Sequence, residues 1–439
     1  MTTSSGSAGG VPSGLTGVVR EHHWFPEPTE PAPRKYIVGL IVAQLIFFIA
    51  LLGPAIIGVG LKVISIVPAE GTERESAVAL IAGLGAAGAL VGNVVFGRLS
   101  DRTTSKWGRR RPWIVSGTVV MTIGFFIMAI GPYVPVVAAG WLVAQLGANA
   151  TLAPFIATIS DQVPKFQRGS ISALVGISQN VGILGGTYVA ELFQDQMIIM
   201  FVGPSILAIG AMVVFAFLLP DQVLPVRPPR MNLAEWVTTF WVSPVKNPDY
   251  ALAWWSRFLV ILATFMFTTF RVFYVNRQLG APEDEVASVI TISVLIYTIA
   301  LVATAWVAGK LSDKTGRRKI FVAGSAVIFA IGTVMLAYTN DVTMFYIVEA
   351  ILGFAYGIYM GVDLALVVDV LPNPDDAGKD LGVFNIANAL PQTIAPLLGG
   401  ILVGIGAAAG GANYPLLMWS AGILALIGAV VILPIKKVR

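Results

Sequence analysis

The residues best suited to chemistry in this chain are a few charged side chains inside long apolar segments. Two are the carboxylates Glu349 and Asp363, and a third is the cation Arg271. A charge near the centre of a bilayer costs at least about 2.5 to 3.5 kcal/mol, so such residues are normally kept for a function. A desolvated carboxylate near a cation can take up and release a proton. Glu349 or Asp363 is therefore the predicted site of proton coupling.

The spacing of the two carboxylates places them on one face of a helix. They are 14 residues apart in the sequence, which is close to four helical turns, or about 21 Å along the axis. Static ion pairs with Arg257, Arg271 or a loop cation are the alternative. A static pair would leave the carboxylates without a part in proton transfer.

Polar uncharged side chains near the middle of other apolar segments outline a solute site. Amides that face lipid are costly, so they are expected to face the protein interior. Paired donors and acceptors suit a neutral polyhydroxylated solute, while aromatic rings, including Tyr356 and Trp419, can stack on a sugar. Hydrogen bonds from helix to helix are the alternative. The predicted solute-binding residues are Gln44, Gln145, Asn149, Gln179, Asn180, Arg271, Tyr297, Tyr359, Asn388 and Gln392.

Twelve apolar segments must position these residues. The chain has 439 residues, of which 56% are hydrophobic and 12% charged, and its mean hydropathy is +0.80. This composition predicts an integral membrane protein. The first six segments lie at about 36–60, 77–97, 113–131, 134–160, 171–194 and 197–219. The second six lie at about 254–276, 286–308, 320–338, 342–368, 381–404 and 414–434.

The polar stretches around the apolar segments divide the chain into four regions. Residues 1–33 are rich in Gly, Ser and Pro and lack the apolar core of a signal peptide, which predicts a disordered cytoplasmic tail. Residues 232–241 place apolar side chains on one face, which predicts an interfacial helix, or alternatively a partner-binding one. The predicted regions are 1–33, the tail; 34–219, a six-helix domain; 220–253, a cytoplasmic linker; and 254–439, a second six-helix domain with a short basic tail.

Metal-binding and catalytic side chains are scarce. The chain has no Cys, and its two His residues, His22 and His23, lie in the tail. We therefore predict neither a metal site nor a cofactor. No catalytic constellation occurs, which argues against an enzyme. Basic residues are not interleaved with aromatic ones, so no nucleic-acid partner is expected.

A dense run of positive charge, residues 97–114, joins the second and third apolar segments. A shorter copy follows at residues 309–321, so that Gly97 and Asp101 recur 212 positions later. Duplication of a six-helix unit explains this repeat.

Lys and Arg cluster at one end of the predicted spans, whereas the loops at the other end are acidic. The positive end is expected to be cytoplasmic, which places both chain termini inside the cell. The acids assigned to the outer loops include Glu70, Glu73, Glu75, Glu283, Asp284 and Glu285.

The loop from Gly97 and Asp101 to the Gly-Arg-Arg sequence at 108–110 resembles the signature loop of the major facilitator superfamily. The resemblance implies an all-α membrane protein with twelve transmembrane helices in two pseudo-symmetric six-helix halves. It also implies alternating access to a central solute site. The gating residues that it implies are Gly97, Asp101, Arg109, Asp161, Arg168, Asp313 and Arg317.

A narrower resemblance covers residues 97–168. The sequence SDRTTSKWGRRRPWI is similar to the corresponding segment of plant sucrose transporters and their animal and bacterial relatives. Asn149, Pro154 and Asp161 fall at that family's relative spacing, and Asp161 to Arg168 resembles its charge cluster below helices 4 and 5. This group includes glycoside–pentoside–hexuronide:cation symporters, so the resemblance implies cation-coupled uptake of a sugar or glycoside.

A proton-driven exporter of drugs or metabolites is the main alternative to uptake. Gln145 and Ile156 stand where the sucrose-transporter pattern has an aspartate and an arginine. Exporters of the superfamily carry an arginine where this chain has Val143, and a Gly-Pro signature where residues 182–186 contain only glycines and apolar residues. The sequence therefore favours uptake over export. A membrane sensor or scaffold is a third possibility from another class.

The expected partners follow from these assignments. They are a small polar solute of the sugar or glycoside class, the proton as coupling ion, and the lipid bilayer. The chain is expected to work as a monomer in the plasma or inner membrane, with both termini cytoplasmic.

Overall fold

The computed structural model describes residues 28–68, 71–224, 242–372, 377–406, 411–436 and 438. These residues form twelve long helices, and no strand occurs within those ranges. The predicted interfacial helix at 232–241 and most of the N-terminal tail lie outside them. The helices are α1 (Arg34–Ile66), α2 (Glu73–Asp101), α3 (Arg111–Ile130), α4 (Val134–Gln162), α5 (Lys165–Leu192), α6 (Met197–Leu218), α7 (Pro248–Gln278), α8 (Val286–Thr315), α9 (Arg318–Leu336), α10 (Val342–Val370), α11 (Ala377–Gly404) and α12 (Tyr414–Val431).

The helices confirm the predicted fold class. Eleven helices of the described chain are long and apolar enough to cross a membrane, and α5 is the remaining long helix. Several helices extend beyond their apolar segments. For example, α2 begins at Glu73, four residues before the predicted segment, because its first-turn charges Arg74 and Glu75 are buried against partners. The chain is therefore a multi-pass membrane protein.

The same helix pairings occur in both halves of the bundle. In the first half α1 packs on α5 and α6, α4 packs on α2 and α3, and α3 also packs on α6. In the second half α7 packs on α11 and α12, α10 packs on α8 and α9, and α9 also packs on α12. Each helix pair of the second half corresponds to the pair six helices earlier in the first half. The repeat seen in the loops thus extends to the packing of the whole chain.

Local sequence sets several helix ends. Asp341 caps α10 by accepting a hydrogen bond from the Met344 nitrogen at 2.8 Å, and Asn413 caps α12 in the same way. Gly316 ends α8 with a φ of 65°, a conformation that glycine adopts without strain. The first helix of each half contains a π-helical turn, at Pro54–Gly58 in α1 and at Tyr274–Gln278 in α7. Such turns occur often at functional sites.

The two ends of the bundle differ in charge. We call the end that carries the α2–α3 and α8–α9 loops the basic face, because those loops hold Arg109, Arg110 and Arg317. The other end carries the α1–α2 and α7–α8 connections, and we call it the opposite face. The halves contact each other mainly through α2 with α11 and α5 with α8.

Candidate functional site

Two ion pairs with buried carboxylates join α7 to α10 in the second half. Near the opposite face, the Arg271 Nη2 atom lies 2.9 Å from the Glu349 Oε1 atom, and both side chains are buried. The guanidinium of Arg271 also lies over the ring of Phe267, 5.1 Å from its centroid. This ring supplies a second favourable contact for the cation.

Nearer the basic face, the Arg257 Nη1 atom lies 2.8 Å from the Asp363 Oδ2 atom. The Arg257 Nε atom donates a hydrogen bond to the Asn388 Oδ1 atom of α11, also at 2.8 Å. The guanidinium lies 5.1 Å from the ring centroid of Phe384. One cation thus links three helices that contribute predicted site residues.

The two pairs form a ladder along antiparallel helices. Arg257 and Arg271 are 14 residues apart on α7, and Glu349 and Asp363 are 14 residues apart on α10. Helices that run in opposite directions with matching spacings bring each cation to one carboxylate. The sequence analysis did not include Arg257 among the solute or coupling residues. The signal for it was its distance of 14 residues from Arg271, which equals the distance between Glu349 and Asp363.

The predicted amides of the first half occupy contrasting positions. Gln44 is buried, and its Nε2 atom donates to the Val175 carbonyl of α5 at 3.0 Å. Asn149 donates to the Gln145 carbonyl one turn earlier, at 2.9 Å, and lies 3.4 Å from the Asn93 amide of α2. Asn93 did not appear among the predicted residues. Gln44 and Asn149 therefore connect helices.

Other predicted amides bond within their own helices or face open space. Asn180 donates to the Gly176 carbonyl at 3.0 Å, and Gln392 donates to the Asn388 carbonyl at 3.1 Å. Gln179 is exposed on α5. An exposed amide on a helix at the interface between the halves remains available to a solute. An amide that donates a hydrogen bond within its own helix has fewer donors left for a solute.

The predicted tyrosines lie together between the two ion pairs. Tyr356 and Tyr359 of α10 stack with ring centroids 5.8 Å apart, and the ring of Tyr297 on α8 lies 6.2 Å from that of Tyr356. Trp419 lies elsewhere, because its Nε1 atom donates to the Tyr338 hydroxyl at 3.2 Å, across the α9–α12 contact.

At the basic face, Arg110 joins two carboxylates of the first half. Its guanidinium lies 2.6 Å from Asp101 and 2.9 Å from Asp161, which also pairs with Arg109 at 2.7 Å. Burial lowers the pKa of Arg110, but Asp101 and Asp161 outweigh burial and raise the pKa above its ordinary value. The backbone nitrogen of Arg110 donates to the Asp221 Oδ2 atom at 2.8 Å. The signature loop is thereby held against the ends of α2, α4 and α6.

The second half repeats this arrangement with Arg318 as the central cation. Arg318 lies 3.6 Å from Asp313 and 2.5 Å from Asp369, which corresponds to Asp161 in the repeat. The predicted gating residue Arg317 is exposed beside it. A loop sequence with adjacent arginines does not reveal which of the two turns toward the carboxylates.

Two further gating candidates have local contacts. Arg168 donates to the Val163 and Ser160 carbonyls at 2.9 and 3.0 Å, so it binds the end of α4. Gly97 lies where α2 meets α4, and an added Cβ there would be 3.7 Å from the Ala153 Cβ atom.

The opposite face carries contacts that join the halves. Glu75 of α2 accepts a hydrogen bond from the Tyr414 hydroxyl of α12 at 2.7 Å and lies 3.5 Å from the Arg277 Nε atom of α7. We call these three residues the latch. Beside it, Arg74 pairs with Glu283 at 2.8 Å. The structure is thus closed at the opposite face.

The latch corrects the assignment of Glu75 to an outer loop. Glu75 is fully buried in the first turn of α2, and its Oε2 atom has no hydrogen-bond partner among the described residues. The cluster of acids before the second apolar segment suggested a solvent-exposed loop. A carboxylate at the end of an apolar segment can nevertheless be buried when the other half of the protein supplies a cation and a hydroxyl.

Removing the charge of Glu75 is expected to open the opposite face. Glu75→Gln keeps the side-chain shape but loses charge-assisted contacts worth about 1.5 to 3 kcal/mol, which shifts a two-state equilibrium about tenfold or more. A cysteine at Ala79, which packs against Gly400 across the halves, should then react faster with a maleimide. Glu73→Gln is the matched control, because Glu73 is exposed in the same turn. Unchanged reactivity in Glu75→Gln would reduce Glu75 to a packing residue.

Comparison with known proteins agrees with the class that this architecture defines, a membrane transporter with two like halves. The model of the Major Facilitator Superfamily matches residues 36–280 and 253–439. The chain belongs to this superfamily.

Proteins related to this chain in sequence include several MFS-type transporters. The uncharacterized MFS-type transporter MJ1317 of Methanocaldococcus jannaschii is 26% identical over 321 residues, covering 70% of this chain and 75% of that protein. The uncharacterized MFS-type transporter C18.02 of Schizosaccharomyces pombe is 30% identical over 125 residues, 28% of each chain. Multidrug resistance protein 3 of Bacillus subtilis is 31% identical over 106 residues, 24% of this chain. The chain spans only 20% of that protein's length.

Solved structures share the fold at low sequence identity. The nucleoside transporter NupG superposes with a TM-score of 0.68 at 12% identity, over 92% of this chain and 100% of that one. A bacterial homolog of the human lysosomal transporter Spinster, in an inward-facing and occupied conformation, gives 0.69 at 11% identity over 94% and 98%. Identities this low support the fold alone.

Proposed function

We propose that this chain is a proton-coupled symporter that takes up a neutral polyhydroxylated solute of the sugar or glycoside class by alternating access. The observation that carries the proposal is the ladder of Arg–carboxylate pairs between α7 and α10, in which both carboxylates are buried. The basic face is proposed to be cytoplasmic, since Lys and Arg collect on the inner side of membrane proteins. The transporter works as a monomer in the plasma or inner membrane.

The ladder supports coupling because each carboxylate has one cation as its main partner. When Asp363 is protonated, Arg257 loses its ion pair and keeps the Asn388 amide and the Phe384 ring as close partners among the described residues. A solute hydroxyl can then accept a hydrogen bond from the freed guanidinium. Proton binding and solute binding would thus favour each other at one site, which is the thermodynamic requirement of symport.

The class of solute is inferred from amides on helices at the interface between the halves. Asn93 on α2, Gln179 on α5 and Asn385 on α11 are exposed. Amide groups both donate and accept hydrogen bonds without adding charge, which suits hydroxyl-rich solutes. This inference agrees with the resemblance to sucrose transporters over residues 97–168.

Transport by purified protein tests the proposal. Proteoliposomes with an imposed pH gradient, acid outside, are expected to accumulate at least one of sucrose, lactose or a phenyl glucoside above the outside concentration. A protonophore should abolish the accumulation. Uptake that stops at equal concentrations for these probes, with or without the gradient, would contradict proton-coupled sugar symport.

Proton-driven export of drugs or metabolites is the second candidate. It is favoured by the similarity to Multidrug resistance protein 3 and to the multidrug transporter mfsC of Aspergillus fumigatus, 26% identical over 125 residues. Cells that express the chain and are loaded with ethidium discriminate between the candidates. Faster energy-dependent efflux than in vector controls would favour export, and an unchanged rate would favour uptake.

The predicted solute amides are testable in the same preparation. Gln145→Ala and Asn388→Ala are each expected to weaken solute binding by about 1 to 3 kcal/mol, because a hydrogen bond is lost or a buried partner is left unsatisfied. Equilibrium binding of the best transported probe measures the effect. Asn247→Ala is the control, since Asn247 bonds the Ser243 carbonyl just before α7. Parental affinity in both variants would assign these amides to helix packing.

A further inference from the structure

The space between the two ion pairs is bridged by tyrosines on one face of α10. Glu349, Tyr356, Tyr359 and Asp363 follow one another at spacings of seven, three and four residues, which keeps all four on one side of a helix. Glu349, Tyr359 and Asp363 are buried, and Tyr356 is half-buried. The widest gap, from Glu349 to Tyr356, spans about 10 Å of helix axis.

Tyr297 of α8 fills that gap. Its ring lies 6.2 Å from that of Tyr356, and it interacts electrostatically with Glu349 and Arg271. Gly353 makes the approach possible, because an added Cβ would clash with the Tyr297 backbone. Three tyrosine rings therefore form a row from one ion pair to the other.

Each end of the row faces charged groups. At one end, Glu349 has Arg271, Tyr274 and Tyr297 around it. At the other end, Tyr359 lies beside Asp363 and Arg257. The buried hydroxyl of Tyr359 has the Asp363 carboxylate as its hydrogen-bonding neighbour, but the contact lacks ordinary hydrogen-bond geometry, and no other described residue pairs with this hydroxyl.

Other buried tyrosines differ in this respect. The Tyr36 hydroxyl pairs with Thr158 at 2.9 Å, and the Tyr274 hydroxyl donates to the Leu336 carbonyl at 2.8 Å. Buried hydroxyls are normally paired in this way. The Tyr359 hydroxyl instead has a carboxylate that can be protonated as its neighbour, and the hydrogen bond between them is poorly formed.

We propose that Tyr297, Tyr356 and Tyr359 relay protons between Glu349 and Asp363. This proposal rests on the proton coupling proposed above. A proton leaves the Glu349 carboxyl for the oxygen of Tyr297 while Tyr297 passes its own proton onward, directly or through water. Tyr356 and Tyr359 repeat the exchange, and the Asp363 carboxylate receives a proton. Each O–H bond that breaks is matched by one that forms, so the tyrosines end unchanged and no oxidant is needed.

Protonation of Glu349 provides a test that needs no solute. Purified protein is shifted rapidly from alkaline to acidic pH while infrared spectroscopy follows the carboxylic acid bands, assigned with Glu349→Gln and Asp363→Asn. Because the latch closes the opposite face, the relay requires that protons reach Glu349 along the row. Tyr356→Phe and Tyr359→Phe keep the rings, and each is expected to slow the Glu349 band about tenfold or more while the Asp363 band forms at the parental rate.

Tyr36→Phe is the matched control, because it removes a buried tyrosine hydroxyl from the other half. Parental rates of the Glu349 band in both row variants would overturn the relay, as would a parent protein in which no Glu349 band forms. Uptake under a pH gradient in the same preparations tests the symporter separately. If the row variants slow the Glu349 band but the parent protein shows no uptake, the relay is upheld and the symporter is rejected. If the parent protein shows uptake but the row variants form the Glu349 band at the parental rate, the symporter is upheld and the relay is rejected.

Discussion

Replacing Asp363 with asparagine is expected to abolish solute accumulation driven by a pH gradient. Exchange of solute between equal concentrations should remain largely intact, because exchange needs no net proton movement. Asparagine can still accept a hydrogen bond from Arg257, which pairs with Asp363 at 2.8 Å in the parent. The variant therefore removes the titratable group while keeping a polar partner for a cation that would otherwise be poorly compensated.

The control for this variant is Asp341→Asn. Asp341 is exposed at the other end of the same helix, where it caps α10. Asparagine caps a helix about as well as aspartate, so this variant should accumulate solute at close to the parental level. Accumulation that survives in Asp363→Asn would eliminate Asp363 as the coupling group, and Glu349→Gln would then be measured in the same way.

Neutralising Asp101 is expected to move the transporter toward the state that is closed at the opposite face. In this structure Asp101 pairs with Arg110 and is 55% exposed. In the alternate state we expect it to hold the basic face closed against the start of α11, together with Arg109 and Arg168. Losing a charge-assisted contact of about 1.5 to 3 kcal/mol shifts the two populations about tenfold or more.

Cysteine labelling measures this shift without interference, because the native chain has no cysteine. In Asp101→Asn, cysteines introduced between the two halves near the basic face should react faster, and those introduced near the opposite face should react more slowly. Transport should fall with little loss of folded protein. Asp195→Asn is the control, since Asp195 is exposed just after α5 at the opposite face.

The latch and Asp101 act at opposite ends of the bundle, so their variants should compensate. Glu75→Gln favours opening of the opposite face, and Asp101→Asn favours its closure. Effects at distant sites generally add, so the double variant should label at nearly parental rates on both sides. Equal rates in Asp101→Asn and the parent would show that Asp101 is only an anchor for the loop.

By itself the sequence determined the features that depend on local order along the chain. Twelve apolar segments predicted twelve helices, because a helix that crosses a bilayer must satisfy its backbone internally and cover it with apolar side chains. The repeat of Gly97 and Asp101 predicted two like halves, which the duplicated helix pairings confirm. The spacing of Glu349 and Asp363 predicted a shared helix face in the same way.

Only the tertiary structure decided which groups meet. Arg257 rather than a loop cation pairs with Asp363, Arg318 rather than Arg317 binds the carboxylates of its half, and Glu75 lies buried under Tyr414. Each of these contacts depends on how the helices are rotated about their axes and shifted along them relative to one another. Packing against several neighbouring helices sets both quantities. Glu75 and Tyr414 are 339 positions apart, so no periodicity within either helix carries information about the other.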